Sequence, residues 1–244
     1  MKRLHTHSQH FIRRPALVKE LIGHSKLKKH ETVIDIGAGS GVISSVLATR
    51  VKQVVAVEVE SRTVEILKKN LQAFDNVSIY EGNFLDMELP HEPYSIFANI
   101  PFHLSSPIIR RLIETNQPPR TAYFILQKQF AKKLVASDIT HFTGQLGMLL
   151  GARYEVKVRK PLRKTDFWPH PAVDTVFLEM ICRETPLVQA SRFEAYEKFT
   201  VECFSDPTIY RKLPLAEAGV SAEKKPSQLS LEQWVHLFKT QTHY

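Results

Sequence analysis

Thr32-Val33-Ile34-Asp35-Ile36-Gly37-Ala38-Gly39-Ser40-Gly41 decides the fold of this chain. Its first half is a short apolar run with the length of a buried strand. Its second half is a glycine-rich turn, and an amphipathic helix is expected from Val42. Strand, glycine turn and helix is the order used by nucleotide sites at the edge of a parallel sheet. A second apolar run, Val54-Val55-Ala56-Val57, ends in Glu58, about 20 residues past the turn, where such sites place a carboxylate on a ribose diol. Glu60 is a rival on spacing. The loop reads Gly-x-Gly-x-Gly and carries no phosphate-binding lysine. This compact form suits an adenosine with an amino-acid tail better than a pyrophosphate, so S-adenosyl-L-methionine is the expected cofactor.

Working outward, Tyr94-Ser95-Ile96-Phe97-Ala98 reads as another buried strand and runs into Asn99-Ile100-Pro101-Phe102. An Asn side-chain carbonyl accepts from an exocyclic N–H. Pro101 fixes the backbone and has no N–H of its own. Phe102 offers a face for a base. Taken alone, the tetrad is equally consistent with a strand ending in a tight turn. After the glycine loop and Glu58, it reads as the site that handles an amino group on the acceptor.

Strands are expected at 32–36, 54–57, 77–80, 95–98, 122–127, 154–158 and 176–181, the last two as an antiparallel pair. Helices are expected at 15–23, 42–51, 62–73, 106–114 and 129–136. This alternation gives parallel β-α-β units. After Cys182 the pattern turns helical, at 191–204, 213–218 and 229–239, with Ser230 and Gln233 spaced as a capping box. The expected architecture is α/β: a Rossmann-like S-adenosylmethionine-binding catalytic domain over residues 1–180 and a small helical domain over 181–244.

Composition agrees. The chain has 244 residues, 43% of them hydrophobic, and no run long enough to span a membrane. Its two cysteines lack metal spacing, so reduced thiols, no metal and a cytoplasmic location are expected. The formal net charge is +8. From Glu179 onward there are 8 Lys and Arg against 9 Asp and Glu, so the surplus lies in the part expected to be catalytic. The basic candidates for a polyanion are Arg110, Arg111, Lys128, Lys132, Lys133, Lys160, Arg163 and Lys164, with Arg153, Lys157 and Arg159 nearby in sequence. A basic surplus beside a nucleobase site points to nucleic acid.

Five segments in one order, Ser8-Gln9-His10-Phe11-Ile12, Asp35 to Gly41, Glu58, Asn99 to Phe102 and Phe167-Trp168-Pro169-His170-Pro171-x-Val173, resemble the rRNA adenine N6-methyltransferases. His7-Ser8-Gln9-x-Phe11 and Asn-Ile-Pro-Phe look like the Erm type, which acts on 23S ribosomal RNA. The housekeeping small-subunit dimethyltransferases usually have Gly-Gln-Asn-Phe and Asn-Leu-Pro-Tyr.

The resemblance implies methylation of an adenine N6 in 23S rRNA before the ribosome is fully assembled, by a monomer, giving macrolide, lincosamide and streptogramin B resistance. It implies catalytic roles for Asn99, Ile100, Pro101, Phe102 and Phe167, the last as a stacking face for a flipped base. It implies cofactor contacts from Gln9, His10, Phe11, Gly37, Ala38, Gly39, Gly41, Glu58, Val59, Asn83, Phe84 and Asn99. Two positions depart from the family: His10 stands where Asn is usual, and Asn83 where an Asp meets the cofactor adenine. Restoring Asp at 83 is therefore expected to tighten cofactor binding. The alternatives are a small-subunit rRNA or DNA adenine N6-methyltransferase, and a non-catalytic RNA-binding module on the same fold.

Overall fold

The computed structural model describes residues 10–12, 14–135 and 143–241. The chain divides into two compact units. One takes the chain up to Lys128 together with Val158–Met180. The other takes Gln129–Lys157 and the chain from Ile181. The second unit therefore includes a stretch that sequence reasoning assigned to the catalytic domain.

In chain order the elements are β1 (Phe11–Ile12), α1 (Pro15–Gly23), β2 (Thr32–Ile36), α2 (Val42–Ala48), β3 (Gln53–Glu58), α3 (Ser61–Leu71), β4 (Val77–Glu81), β5 (Tyr94–Asn99), α4 (Ser105–Glu114) and β6 (Thr121–Gln127). There follow α5 (Lys128–Leu134), α6 (Gln145–Arg153), β7 (Tyr154–Leu162), β8 (Phe167–Trp168), β9 (Thr175–Cys182), α7 (Phe193–Ser205), α8 (Pro207–Arg211) and α9 (Leu231–Thr240). The fold is a Rossmann-like α/β core with a smaller C-terminal helical region.

The main sheet has seven strands in the order β4-β3-β2-β5-β6-β9-β7. β4, β3, β2, β5 and β6 run parallel to one another. Strand order reverses between β2 and β5, which opens a crevice at their carboxyl ends. The strands are nearly continuous apolar runs because helices cover both faces. β2 buries Val33, Ile34 and Ile36, and β6 buries every residue from Thr121 to Leu126. On one face Leu17, Val18, Leu21 and Ile22 of α1 and Ile43, Val46 and Leu47 of α2 close over Val33, Val54, Phe97 and Tyr123. A second, two-stranded ribbon pairs Phe11 with Trp168 and Ile12 with Phe167, joining segments more than 150 residues apart in sequence.

In the second unit the core is aromatic. Tyr196, Phe199, Trp234 and Phe238 are fully buried, and Phe199 meets Trp234 edge-on at 5.5 Å between ring centroids. Ser230 and Gln233 exchange hydrogen bonds of 3.2 and 3.0 Å at the start of α9, as a capping box requires. The expected helix at 213–218 is a short 3₁₀ turn, Leu215–Ala218, bounded by Pro214 and by Gly219 at φ 64°. Sequence reasoning missed α6. Gly147 to Ala152 are all buried, so this helix has no polar stripe and leaves no 3.6-residue signature.

One buried charge lies under the glycine turn. Asp35 is fully buried, accepts a 2.6 Å hydrogen bond from Ser44 Oγ, and leaves Oδ1 without a partner. Burial pushes its carboxyl up from 3.8 to about 7; the Ser44 bonds oppose that rise and the nearby Glu58 charge adds to it. Between those values the folded chain keeps a proton that the unfolded chain has released. The contribution of this group to stability is therefore greatest at the acid end and is lost as pH rises from 3.8 to about 7. Asp35→Asn is expected to flatten that fall, read as melting temperature against pH. An unchanged slope would show that Asp35 does not titrate in this window.

Candidate active site

The carboxyl ends of β2, β3, β4 and β5 surround a cavity of about 330 Å3. Its walls come from His10 and Phe11, the glycine turn at Gly37, Val57 to Val59, Gly82 to Leu85, and Asn99 to Leu104. That volume lies at the lower end of small-molecule sites.

Glu58 organises one side. It is 6% exposed, and its carboxylate accepts three backbone N–H groups: Gly39 at 2.9 Å, Val59 at 2.9 Å and Glu60 at 3.1 Å. Gly39 reaches it at φ 56°, a backbone state that side chains disfavour. A Cβ there would also come within 3.2 Å of the Phe11 ring. The turn is held from below by hydrogen bonds of 2.9 Å from Gly37 N–H and Ala38 N–H to Val57 O. Glu58 keeps lone pairs for a diol, since each carboxylate oxygen accepts more than one bond. The Glu60 carboxylate is engaged elsewhere, accepting from Thr63 Oγ1 at 2.9 Å at the start of α3.

Asn99 organises the other side. Its amide nitrogen donates to His10 O at 2.6 Å, which fixes the amide and reserves Oδ1 as an acceptor. His10 also bonds Pro169 O through Nδ1 at 2.8 Å, and its ring lies 5.4 Å from that of Phe102. Asn99, Ile100, Pro101 and Phe102 all line the cavity.

The third wall carries the departure at position 83. Asn83 Oδ1 accepts from Leu85 N–H at 3.1 Å, and its amide nitrogen donates to Asp86 Oδ2 at 3.0 Å. A carboxylate thus stands one hydrogen bond behind the amide. Arg111 clamps the same wall. Its guanidinium donates to Phe84 O and Met87 O and lies 5.0 Å over the Phe84 ring.

The structure gathers His10, Phe11, Gly37, Glu58, Val59, Asn83, Phe84 and Asn99 to Phe102 around this cavity. Ala38, Gly39 and Gly41 belong to the turn beside it. At Gly41, φ 90°, a Cβ would press to 2.9 Å from Leu67 of α3. Gln9 lies outside the described residues.

Phe167 is not brought to the cavity. It is 1% exposed and packs with Ile12, Leu17 and Leu162, so it presents no face to a base. Pairing in the ribbon turns it inward, and its neighbour Trp168, 56% exposed, faces out.

Arg111 is occupied by the wall. Of the other basic candidates, Arg110 pairs with Glu114, Lys128 with Asp174, Lys160 with Glu20 and Arg163 with Asp166, while Lys164 donates to Ala172 O. Sequence reasoning missed the role of Arg111 because its partners are main-chain carbonyls, which leave no pattern in the sequence.

The cavity suits S-adenosylmethionine: a carboxylate for a ribose, a glycine turn no side chain can fill, and an amide and ring at the far end. The described residues contain no helix long and apolar enough to cross a membrane. Comparison with known proteins agrees with the geometry. The chain is 25% identical to the ribosomal RNA small subunit methyltransferase A of Latilactobacillus sakei, over 94% of this chain and 86% of that one. It is 30% identical to that of Streptococcus mutans over 74% and 65%. Among solved structures it resembles the 23S rRNA methyltransferase ErmE, with a TM-score of 0.82, 25% identity and coverage of 94% and 98%. A dimethyladenosine transferase from Plasmodium falciparum has the same fold, with a TM-score of 0.77, 22% identity and coverage of 93% and 96%. The family model for ribosomal RNA adenine dimethylase matches residues 2–213, and the chain therefore belongs to that family of S-adenosylmethionine-dependent methyltransferases.

Proposed function

We propose that this chain methylates N6 of an adenine in ribosomal RNA, with Glu58 on the cofactor ribose and Asn99 on the target base. The observation that carries this reading is the Asn99 amide, pinned by its bond to His10 O so that Oδ1 stays an acceptor at the cavity. Adenine N6 is a poor nucleophile because its lone pair is delocalised into the ring. Acceptance of its two hydrogens by Asn99 Oδ1 and the Ile100 carbonyl favours a more tetrahedral, more nucleophilic nitrogen. Phe102 offers a face to the extruded base, whose flipping costs a few kcal/mol. S-adenosylmethionine supplies an electrophilic methyl group. Transfer of that methyl from sulfur to N6 would leave the nitrogen acidic, and its proton would pass to water. The protein's main contribution is alignment.

Glu58 at the end of β3 would hold the cofactor ribose, and Gly82 to Leu85 after β4 would receive its adenine, with Asn83 Oδ1 as the acceptor for the adenine amino group.

Small-subunit rRNA is the first substrate, in keeping with the names of the curated relatives. The likeness to ErmE and the Asn-Ile-Pro-Phe tetrad favour a second reading, 23S rRNA with resistance to macrolides, lincosamides and streptogramin B. Incubating 16S and 23S rRNA separately with labelled cofactor, then mapping the modified nucleotide, distinguishes the two. Label in neither RNA would sink both.

Asn99→Ala is expected to slow methyl transfer by about 100-fold or more while leaving cofactor affinity nearly unchanged, a loss on the scale of a removed transition-state hydrogen bond. Lost cofactor binding with a normal single-turnover rate at saturation would reassign it. Glu58→Ala is expected to weaken cofactor binding by about 1.5–3 kcal/mol, the scale of a hydrogen bond to a charged group. Glu60→Ala should leave it unchanged in the same titration, and the reverse ranking would move the ribose to Glu60. At position 83 the Asp86 neighbour supports the opposite of the sequence-based expectation. Asn83→Asp puts two carboxylates 3.0 Å apart, so it should weaken cofactor binding, and adding Asp86→Asn should restore it. Tighter binding by Asn83→Asp alone would show that Asp86 does not act on this position.

A further inference from the structure

Six of the eight basic side chains picked out in the sequence are engaged by the protein itself, through the ion pairs and carbonyl contacts described above, while Lys132 and Lys133 make no ion pair among the described residues. A further unpaired group lies elsewhere. Lys26, Lys28 and Lys29 lie on the turn before β2, and Arg50 and Lys52 on the turn before β3. All five are exposed, and none makes an ion pair among the described residues. The two turns are tied together, because Glu31 O accepts N–H bonds from Lys52 at 3.1 Å and Gln53 at 3.3 Å. The one acid in these turns, Glu31, points inward, bonded to Ser95 Oγ at 3.0 Å and paired with Arg120 at 3.3 Å. On the adjoining turn before β4, Asp75 is the only acid. Five cations thus share these two turns with no outward-facing acid; Asp75 on one side, and Glu88 and Glu92 on the turn before β5 on the other, are the exposed carboxylates of the neighbouring turns.

This edge lies at the amino ends of β2 and β3, and the cavity at their carboxyl ends. The five residues of β2 separate the two by about 17 Å. Val51 between the cations is buried, and none of the large exposed apolar side chains falls on these turns. The edge therefore lacks the apolar face of a membrane-binding element and the aromatic centre of a protein interface. Lysines without aromatics contact phosphates rather than bases.

We propose that the Lys26–Lys29 and Arg50–Lys52 turns are a second RNA contact, holding the phosphate backbone of a duplex arm that flanks the target nucleotide. The proposal rests on the RNA substrate proposed above. It means that the enzyme grips structured RNA at two points, with the base in the cavity and the arm at the opposite edge of the sheet.

The test compares wild type with Lys28→Glu/Lys29→Glu/Lys52→Glu on two RNAs: a long rRNA fragment holding the target and its flanking duplex, and a short single-stranded oligonucleotide holding the target alone. The variant should bind the long fragment at least about tenfold more weakly. Its salt slope should fall by roughly 0.7–0.9 per lost contact. Its affinity for the oligonucleotide and for S-adenosylmethionine, and its melting temperature, should match wild type. Lys→Gln replacements at the same positions should fall between the two. Equal affinity of wild type and variant for a long fragment that wild type methylates would overturn the second contact alone. An equal loss on both RNAs would place these lysines at the target strand and also overturn it. Methylation of neither RNA by wild type would instead overturn the substrate reading.

Discussion

The hydrogen bond from Gly39 N–H to the Glu58 carboxylate sets the rest of the site. It links the turn after β2 to the end of β3, and it forms only if three conditions hold together. β2 and β3 must pair in the register that sets Ile36 beside Val57. The turn must pass through positive φ at Gly39. Glu58 must stay nearly buried, where its charge is tolerable because three N–H groups meet it. A one-residue slip of β3 would send Glu58 to the opposite face of the sheet and open the turn. The cavity floor is therefore a consequence of strand register as much as of glycine.

A second link closes the cavity from outside the sheet. His10 precedes the main fold in sequence, yet its carbonyl fixes Asn99 and its ring nitrogen bonds Pro169 O. The β1–β8 ribbon makes this possible by pairing Phe11 with Trp168 and Ile12 with Phe167. An Asn side chain free to rotate would present its NH2 as often as its oxygen. Tying the NH2 to a main-chain acceptor selects the orientation that accepts from an amino group, and it does so before any substrate arrives.

Charge in this chain divides by partner rather than by amount. Arg111 holds the wall of the cavity through carbonyl groups and a ring face, so it acts as scaffold. Arg163 and Arg14 both lie against the buried Asp166. Such pairs lower the local potential that a phosphate would feel. Counting lysines and arginines along the sequence therefore overstates the field near the cavity.

The sequence alone was enough for the strand-turn-helix order, the limits of β2 and α1, the capping box of α9 and the residues of the Asn99 tetrad. Each depends on neighbours within a few positions, so period, propensity and turn chemistry report it directly. It was also enough to name Glu58, because its spacing from the turn reflects the length of one α-β step. Tertiary structure alone decided the rest. Phe167 became core and Trp168 surface because a ribbon pairing, invisible in local sequence, chose which face each occupies. Arg111 became a clamp because its partners, main-chain carbonyls more than 20 residues away, carry no pattern. Helix α6 escaped notice because a helix buried on all sides has no amphipathic period. Local chemistry is written in the order of residues. Orientation, pairing and neutralisation arise only when distant segments meet.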